Sequence, residues 1–185
     1  MVRSIFVKSR KIYILFTRFP DNGTKVIEVL TGCYYPHTSI GLEEDLNTFY
    51  SFVTKGFIVE KITRYVKPDR IPFPCQLYEL HVSENIYGRI KEALEYFVEF
   101  KEIVHYTKLG LILSLLRIPY KRNRFGFFCS QFVAEILHHS GAVKLTKEST
   151  QYFSEDLKRL PGMKLNYQGN LETMIEYLGI SPKFA

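Results

Sequence analysis

Hydrophobic positions along this chain fall into strand-like runs in the first half and helix-like periods in the second. Lys11 to Phe19 (KIYILFTRF) is a β-branched and aromatic run closed by Pro20-Asp21-Asn22-Gly23, the pattern of a buried strand ending in a turn. A short helix is predicted from Thr24 to Thr31, stopped at Gly32. Tyr34 to Leu42 and Leu46 to Val53 read as strands again, and the acidic stretch Glu43-Glu44-Asp45 between them predicts a β-hairpin. If Leu42 faces Thr48, Ser39 falls opposite Ser51 and His37 opposite Val53. Gly56 to Tyr65 is extended, Pro68 to Pro74 is a proline-punctuated loop, and Cys75 to Val82 alternates as a further strand.

The period then lengthens. Ser83 is a predicted N-cap for a helix from Glu84 to Val104, in which Ile86, Ile90, Ala93, Leu94, Phe97 and Val98 recur at helical spacing. The apolar segment Leu109 to Ile118 predicts another helix, only about half the ~20 residues a bilayer span needs, and it runs into the basic loop Arg117 to Arg124. Phe127 to Ser140 is a third helix, preceded by Gly126 and stopped by Gly141. A polar helix from Ser149 to Leu160, a strand at Met163 to Tyr167 and a helix from Leu171 to Leu178 complete the expectation. No internal repeat or linker interrupts the order. The predicted fold is one α+β domain over residues 1–185, an antiparallel β-sheet packed against helices.

Composition narrows the class. With 46% hydrophobic and 15% aromatic residues in 185, the chain has material for a packed core, and disorder is excluded as its main state. Three cysteines at irregular positions, with no C-x-x-C pair, indicate neither a disulfide framework nor a thiolate zinc site. They fit a reducing compartment. The stretch after Met1 lacks the apolar core and cleavage site of a secretory signal, so a cytoplasmic location is expected. The formal charge of +6 is scattered and reads first as a solvated basic face, with weak contact to an anionic surface as the other reading. No nucleic-acid motif accompanies it, and specific nucleic-acid binding is not expected. Metal-ligating, paired-carboxylate and glycine-rich phosphate motifs are missing from the sequence, so neither metal nor cofactor is expected.

Thiol chemistry remains. Cys129 lies at or near the first turn of its predicted helix, where open N–H groups and the helix dipole favour a thiolate. Flanked by Phe127, Phe128, Phe132 and Val133, it reads first, on composition alone, as a buried core cysteine. His138 and His139 stand almost three turns down the same helix, roughly 13–15 Å away, and suit its C-terminus instead. His81 and His105 read as surface positions. His37 shares one strand face with Ser39 and Gly41, a small and polar face suited to an active-site wall, so Ser39 is a candidate substrate contact. Tyr35, two residues before His37, would project to the same side and bind substrate or simply pack. Ser51 is the polar residue that the hairpin register offers to orient the imidazole, and a slip of one residue would substitute Tyr50 or Phe52. Cys33 and Cys75 are assigned to structure.

The order Tyr35-Pro36-His37-Thr38-Ser39-Ile40, an acidic turn, Tyr50-Ser51-Phe52, and much later Phe128-Cys129-Ser130-Gln131-Phe132-Val133 opening a helix resembles the circularly permuted papain-like hydrolases. These form the NlpC-type superfamily branch that also contains lecithin:retinol acyltransferase-like proteins. In the unpermuted family the cysteine helix precedes the histidine strand. The resemblance runs roughly from Lys11 to Pro161 and implies a papain-like fold in permuted order. It implies Cys129 as nucleophile, His37 as base and a polar third residue on the strand after His37, the place Ser51 fills. The backbone N–H of Cys129 would then be one oxyanion donor. Asn123, six residues earlier, stands at the papain-like spacing for an amide side chain and is the candidate second donor. The implied activity is a cysteine-dependent hydrolase or acyltransferase acting on an amide, ester or thioester of a small-molecule, peptide or acyl-lipid substrate. The alternative is a catalytically weak or inactive binding module of the same fold, for lipid or another anionic ligand.

Overall fold

The computed structural model describes residues 9–19, 22–66, 72–107 and 126–181. The apolar segment Leu109 to Ile118, the basic loop with Asn123, and most of the Pro68–Pro74 loop lie outside the described residues. The elements follow in chain order as β1 (Ser9–Thr17), α1 (Asn22–Thr31), β2 (His37–Leu42), β3 (Thr48–Val53) and β4 (Gly56–Lys61), with a 3-10 turn at Ile62–Arg64. Next come β5 (Pro74–Ser83), α2 (Glu84–Glu99), β6 (His105–Tyr106), β7 (Gly126–Phe127) and α3 (Cys129–His139). A 3-10 turn at Ser149–Gln151, α4 (Ser154–Lys158), β8 (Lys164–Asn170) and α5 (Leu171–Tyr177) close the order.

Six strands form one antiparallel sheet in the order β4-β3-β2-β1-β5-β8, which makes this an α+β fold. The apolar run of β1 explains its central place. Ile12, Ile14 and Phe16 point to one face and Tyr13 and Leu15 to the other, and all five are buried, so both faces of that strand need cover. The first face packs against α2 and α3 through Tyr87, Ile90, Leu94, Phe132, Val133 and Leu137. The second is closed by α5 through Leu171, Met174 and Ile175, with Phe49 and Ile62 beside them.

The β2–β3 register is the expected one, pairing Ile40 with Tyr50 and Gly41 with Phe49. Ser83 caps α2, its hydroxyl accepting from the N–H of Ile86 at 3.4 Å. Two helices are shorter than their periodicity suggested. The α2 helix ends at Glu99, where the N–H of its C-cap Phe100 bonds the carbonyl of Tyr96, and Val104 enters the core from a non-helical segment. The polar stretch from Ser149 divides at Tyr152 and Phe153, which are extended. Tyr152 is buried with its hydroxyl accepting from the N–H of Thr146 at 3.0 Å, and the Asp156 carboxylate takes the N–H of Phe153 at 3.0 Å. Those anchors outweigh helix continuation. The parallel two-residue pairing of β6 with β7 was not anticipated. No helix among the described residues is long and apolar enough to cross a membrane.

Gly41 marks the closest approach in the hairpin. A Cβ there would meet the ring of Phe49 at 2.8 and 2.9 Å, and that ring is fully buried. Gly41→Ala should therefore destabilise the protein by about 1–3 kcal/mol through overpacking, measured by urea unfolding. Adding Phe49→Leu should recover part of the loss. A Gly41→Ala protein as stable as the parent would mean the ring does not lie over β2.

Candidate active site

The α3 helix starts at Cys129 because Phe128 is extended, with φ −116° and ψ 165°, and offers no side-chain cap. Phe128 is instead buried and stacks on Phe153 with centroids 6.4 Å apart. The hydroxyl of Ser130 donates to the carbonyl of Tyr152 at 2.8 Å and pins this first turn. The Cys129 thiol is partly exposed, and its Sγ lies 3.6 Å from the carbonyl of Pro36. The N–H of Cys129 lies among the helix-start amides that lack an intrahelical acceptor, so a polarised donor stands beside the sulfur.

His37 is the first residue of β2 and is 8% exposed. Its Nε2 lies 2.8 Å from Oε1 of Glu60, a carboxylate that is 3% exposed. The Cys129 side chain also favours the charged form of the ring, and its sulfur meets β2 at the carbonyl of Pro36, the residue before His37. Phe19 packs on the imidazole with centroids 5.1 Å apart, and Tyr65 and Phe73 back Phe19 at 5.3 and 5.7 Å. Burial opposes the imidazolium, but the Glu60 carboxylate and the Cys129 side chain outweigh it, and the His37 pKa rises to about 10. The same burial, with the charge of Glu60, pushes the Tyr65 hydroxyl up to about 12.

Glu60 reaches His37 only because the sheet curls. Glu60 stands opposite Phe49, which stands opposite Gly41, and Gly41 is four residues along β2 from His37. On a flat sheet the offset would be about 13 Å along the strand and 10 Å across it, too far for two parallel side chains. Their 2.8 Å contact therefore requires a concave face on β2–β4.

Several residues to which the sequence points lie elsewhere. Ser51 does not orient His37, although the register places it where expected. Its hydroxyl donates to the carbonyl of Thr38 at 2.6 Å, inside the sheet, and Glu60 takes the imidazole instead. Tyr35 does not share the His37 face. It precedes the first strand residue and packs against the α2–α3 side, edge-on to Tyr34 at 4.9 Å and under the Lys158 ammonium at 4.7 Å. Ser39 lies on the His37 side but is wholly buried, with an unpartnered hydroxyl, so it does not face substrate. Asn123 lies outside the described residues. Glu60 carried one sequence signal: it shares the inward phase of Ile58 and the buried Ile62, so a lone acid sat on an apolar face.

The remaining candidates are structural. The thiol of Cys33 is pushed up by burial, and that of Cys75, which lies against Met174 Sδ at 3.8 Å, is pushed up to about 12 for the same reason. His138 and His139 occupy the last turn of α3, with His139 on Glu135 at 2.7 Å, and His81 bonds Glu79 at the surface. No group of three His, Cys, Asp or Glu side chains among the described residues could hold a metal ion. A cavity of about 580 Å³ lined by Glu135, His138, His139, Lys147 and Ser149 lies at the far end of α3. That end is ~15 Å from Cys129 at the helical rise, so the cavity does not belong to the thiol–imidazole pair.

No protein-family model and no curated protein matches the chain. Among solved structures it is similar to the crystal structure of the metalloprotein yiiX from Escherichia coli O157:H7, at a TM-score of 0.46 and 13% identity, over 86% of this chain and 97% of that one. A likeness of that size carries no argument about the site.

The buried pair makes stability depend on pH in a defined direction. The folded pKa of His37, about 10, lies above the unfolded value near 6.5, so its contribution is complete below pH 6.5 and is lost as pH rises through 10. The stability difference between the parent and His37→Gln should shrink over that window in urea titrations at successive pH values. A difference constant from pH 6 to 10 would mean that His37 is not held as the imidazolium.

Proposed function

We propose that the chain is a cysteine-dependent hydrolase or acyltransferase of the permuted papain-like, NlpC-type kind, acting on an amide, ester or thioester. The observation that carries this reading is one buried imidazole bonded at Nε2 to Glu60, with the thiol that opens α3 lying 3.6 Å from the carbonyl of Pro36, the residue before that imidazole. Nucleophile, base and orienting group then stand in the sequence that acyl transfer needs. The His37 strand preceding the Cys129 helix, on an antiparallel sheet covered by helices, supports the permuted order.

In this reading the resting proton sits on His37 and the Cys129 sulfur is a thiolate. The thiolate attacks the carbonyl carbon and forms a C–S bond, and the carbonyl electron pair moves to oxygen beside the N–H of Cys129. Asn123 is the second donor that the resemblance assigns. As the tetrahedral species collapses, the bond to the leaving group breaks and His37 delivers its proton to that group. Neutral His37 then takes a proton from water, or from another acceptor, as its oxygen adds to the thioester. The C–S bond breaks, and the proton on His37 restores the starting pair. Glu60 holds the ring in place while its charge favours the imidazolium. A carboxylate is a stronger orienting group than the Ser51 hydroxyl that the hairpin register offers, which favours the enzyme over the binding-module alternative.

The substrate is a small molecule, a peptide or an acyl lipid. A reducing location such as the cytoplasm would keep the sulfur competent.

Alkylation by iodoacetamide tests the pair directly. Cys129 should react at pH 6–7 well ahead of the buried Cys33 and Cys75, with mass spectrometry locating the label. His37→Gln should slow labelling at pH 6.5 by at least tenfold and move the reaction to the pH range of an ordinary thiol. Glu60→Gln should slow it to an intermediate extent. Preferential labelling of Cys33 or Cys75, or a Cys129 rate indifferent to His37→Gln, would end the proposal.

A further inference from the structure

The bond between His37 and Glu60 lies over one particular spot on the sheet. Glu60 stands opposite Phe49 and Phe49 opposite Gly41, so the same register, carried two residues toward His37, brings Ser51 opposite Ser39. Ser51 is therefore one strand and two residues from Glu60, and one strand and two residues from His37. The line joining those two positions crosses it, with Ser39 beside it on β2. By the period of two, the four side chains share the face of Phe49.

The polar groups gathered there are incompletely bonded. Ser39 and Ser51 are both wholly buried. The Ser51 hydroxyl gives its hydrogen to the carbonyl of Thr38 at 2.6 Å, which leaves its oxygen able to accept. The Ser39 hydroxyl has no partner among the described residues. The Glu60 carboxylate is 3% exposed and makes one hydrogen bond among the described residues, between Oε1 and Nε2 of His37 at 2.8 Å, although two carboxylate oxygens can accept several. A hydroxyl with a hydrogen to give thus lies beneath a buried carboxylate with lone pairs to fill, and the two do not bond directly.

The chemistry selects what joins them. Gly41, Ser39 and Ser51 make a floor of small residues, so the bridging molecule must be small, must accept from Ser39 and must donate to a carboxylate. A cation offers no acceptor for the Ser39 hydrogen, and an anion would face Glu60. Water meets all three conditions.

We infer that one buried water lies between the Glu60–His37 contact and the sheet, accepting from Ser39 Oγ and donating to the Glu60 carboxylate and to Ser51 Oγ. Three bonds are the usual complement of a buried water. They give the carboxylate a second hydrogen bond and so offset part of the cost of burying its charge. The site stands on the Glu60–His37 geometry and is independent of whether the Cys129 thiol is reactive.

A high-resolution crystal structure of the full chain should show an ordered water about 3 Å from Ser39 Oγ and from a Glu60 oxygen. No density at that position, or a protein atom occupying it, would overturn the site. Urea unfolding tests it in solution. Removing an idle buried hydroxyl is neutral or stabilising, whereas removing one that holds a water leaves the carboxylate short of a bond. Ser39→Ala should therefore lower the urea midpoint by about 0.5 M, and a crystal of that variant should lack the water. A Ser39→Ala midpoint equal to or above the parent's would overturn the site. An unreactive Cys129 would defeat the acyl-transfer reading and leave both results in place, whereas a dry site would leave that reading untouched.

Discussion

The structure depends on the burial of one imidazole. Taking His37 out of water penalises its charged form, and the contact with Glu60 reverses that penalty. The contact in turn demands a particular sheet. Glu60 is two strands away from β2 and four residues along it, so β2, β3 and β4 must curl before carboxylate and ring can meet. Phe49 fills the concave face between them, and it fits because Gly41 beneath it has no Cβ. The hairpin's smallest residue and the site's strongest charge pair are thus parts of one geometric solution.

Cys129 and His37 belong to opposite faces of that sheet. The α3 helix packs on the face of Ile14, Phe16 and Ile40, whereas the imidazole lies with Phe19 and Phe73 on the other side. They meet because each stands at the end of its element. Cys129 is the first residue of α3, His37 is the first of β2, and the carbonyl of Pro36 touches the sulfur where the strand begins. Only a residue at that strand end can reach around the sheet to the helix start. Positions deeper in β2 cannot, which is why Ser39, on the same side, ends as a buried hydroxyl without a partner.

Much of this was legible in the sequence because it is local. Alternation and turn chemistry placed β1, the hairpin and β5, the hairpin register followed from the acidic turn, and Ser83 announced α2. That Cys129 opens its helix was also readable, and its sulfur lies where β2 begins, at Pro36. Glu60 was not, because a strand pattern carries no information about curl, and on a flat sheet Ser51 is the nearer polar neighbour. Tyr35 was misplaced for a related reason. Period-two reasoning extends a strand past its first residue, but β2 begins at His37, and the chain before it turns toward Lys158 and the α3 side. The division of the Ser149 stretch reflects tertiary anchoring of Tyr152, which composition does not encode.

The difference between Ser51 and Glu60 changes the character of the site rather than its parts list. A serine hydroxyl would fix the tautomer of a neutral ring and leave the thiol protonated until substrate arrived. A buried carboxylate at 2.8 Å does more, since in a low-dielectric setting its charge keeps the proton on the imidazole. In the proposed reaction that proton is the one a leaving group would take. The arrangement is costly in the folded state because two charges are buried with few neighbours to share them. The aromatic cover of Phe19, Tyr65 and Phe73 adds to that cost while keeping water from competing for the Glu60 bond. Replacing such a buried pair with apolar side chains of similar volume would by itself be neutral or stabilising, so packing alone gives no reason for it.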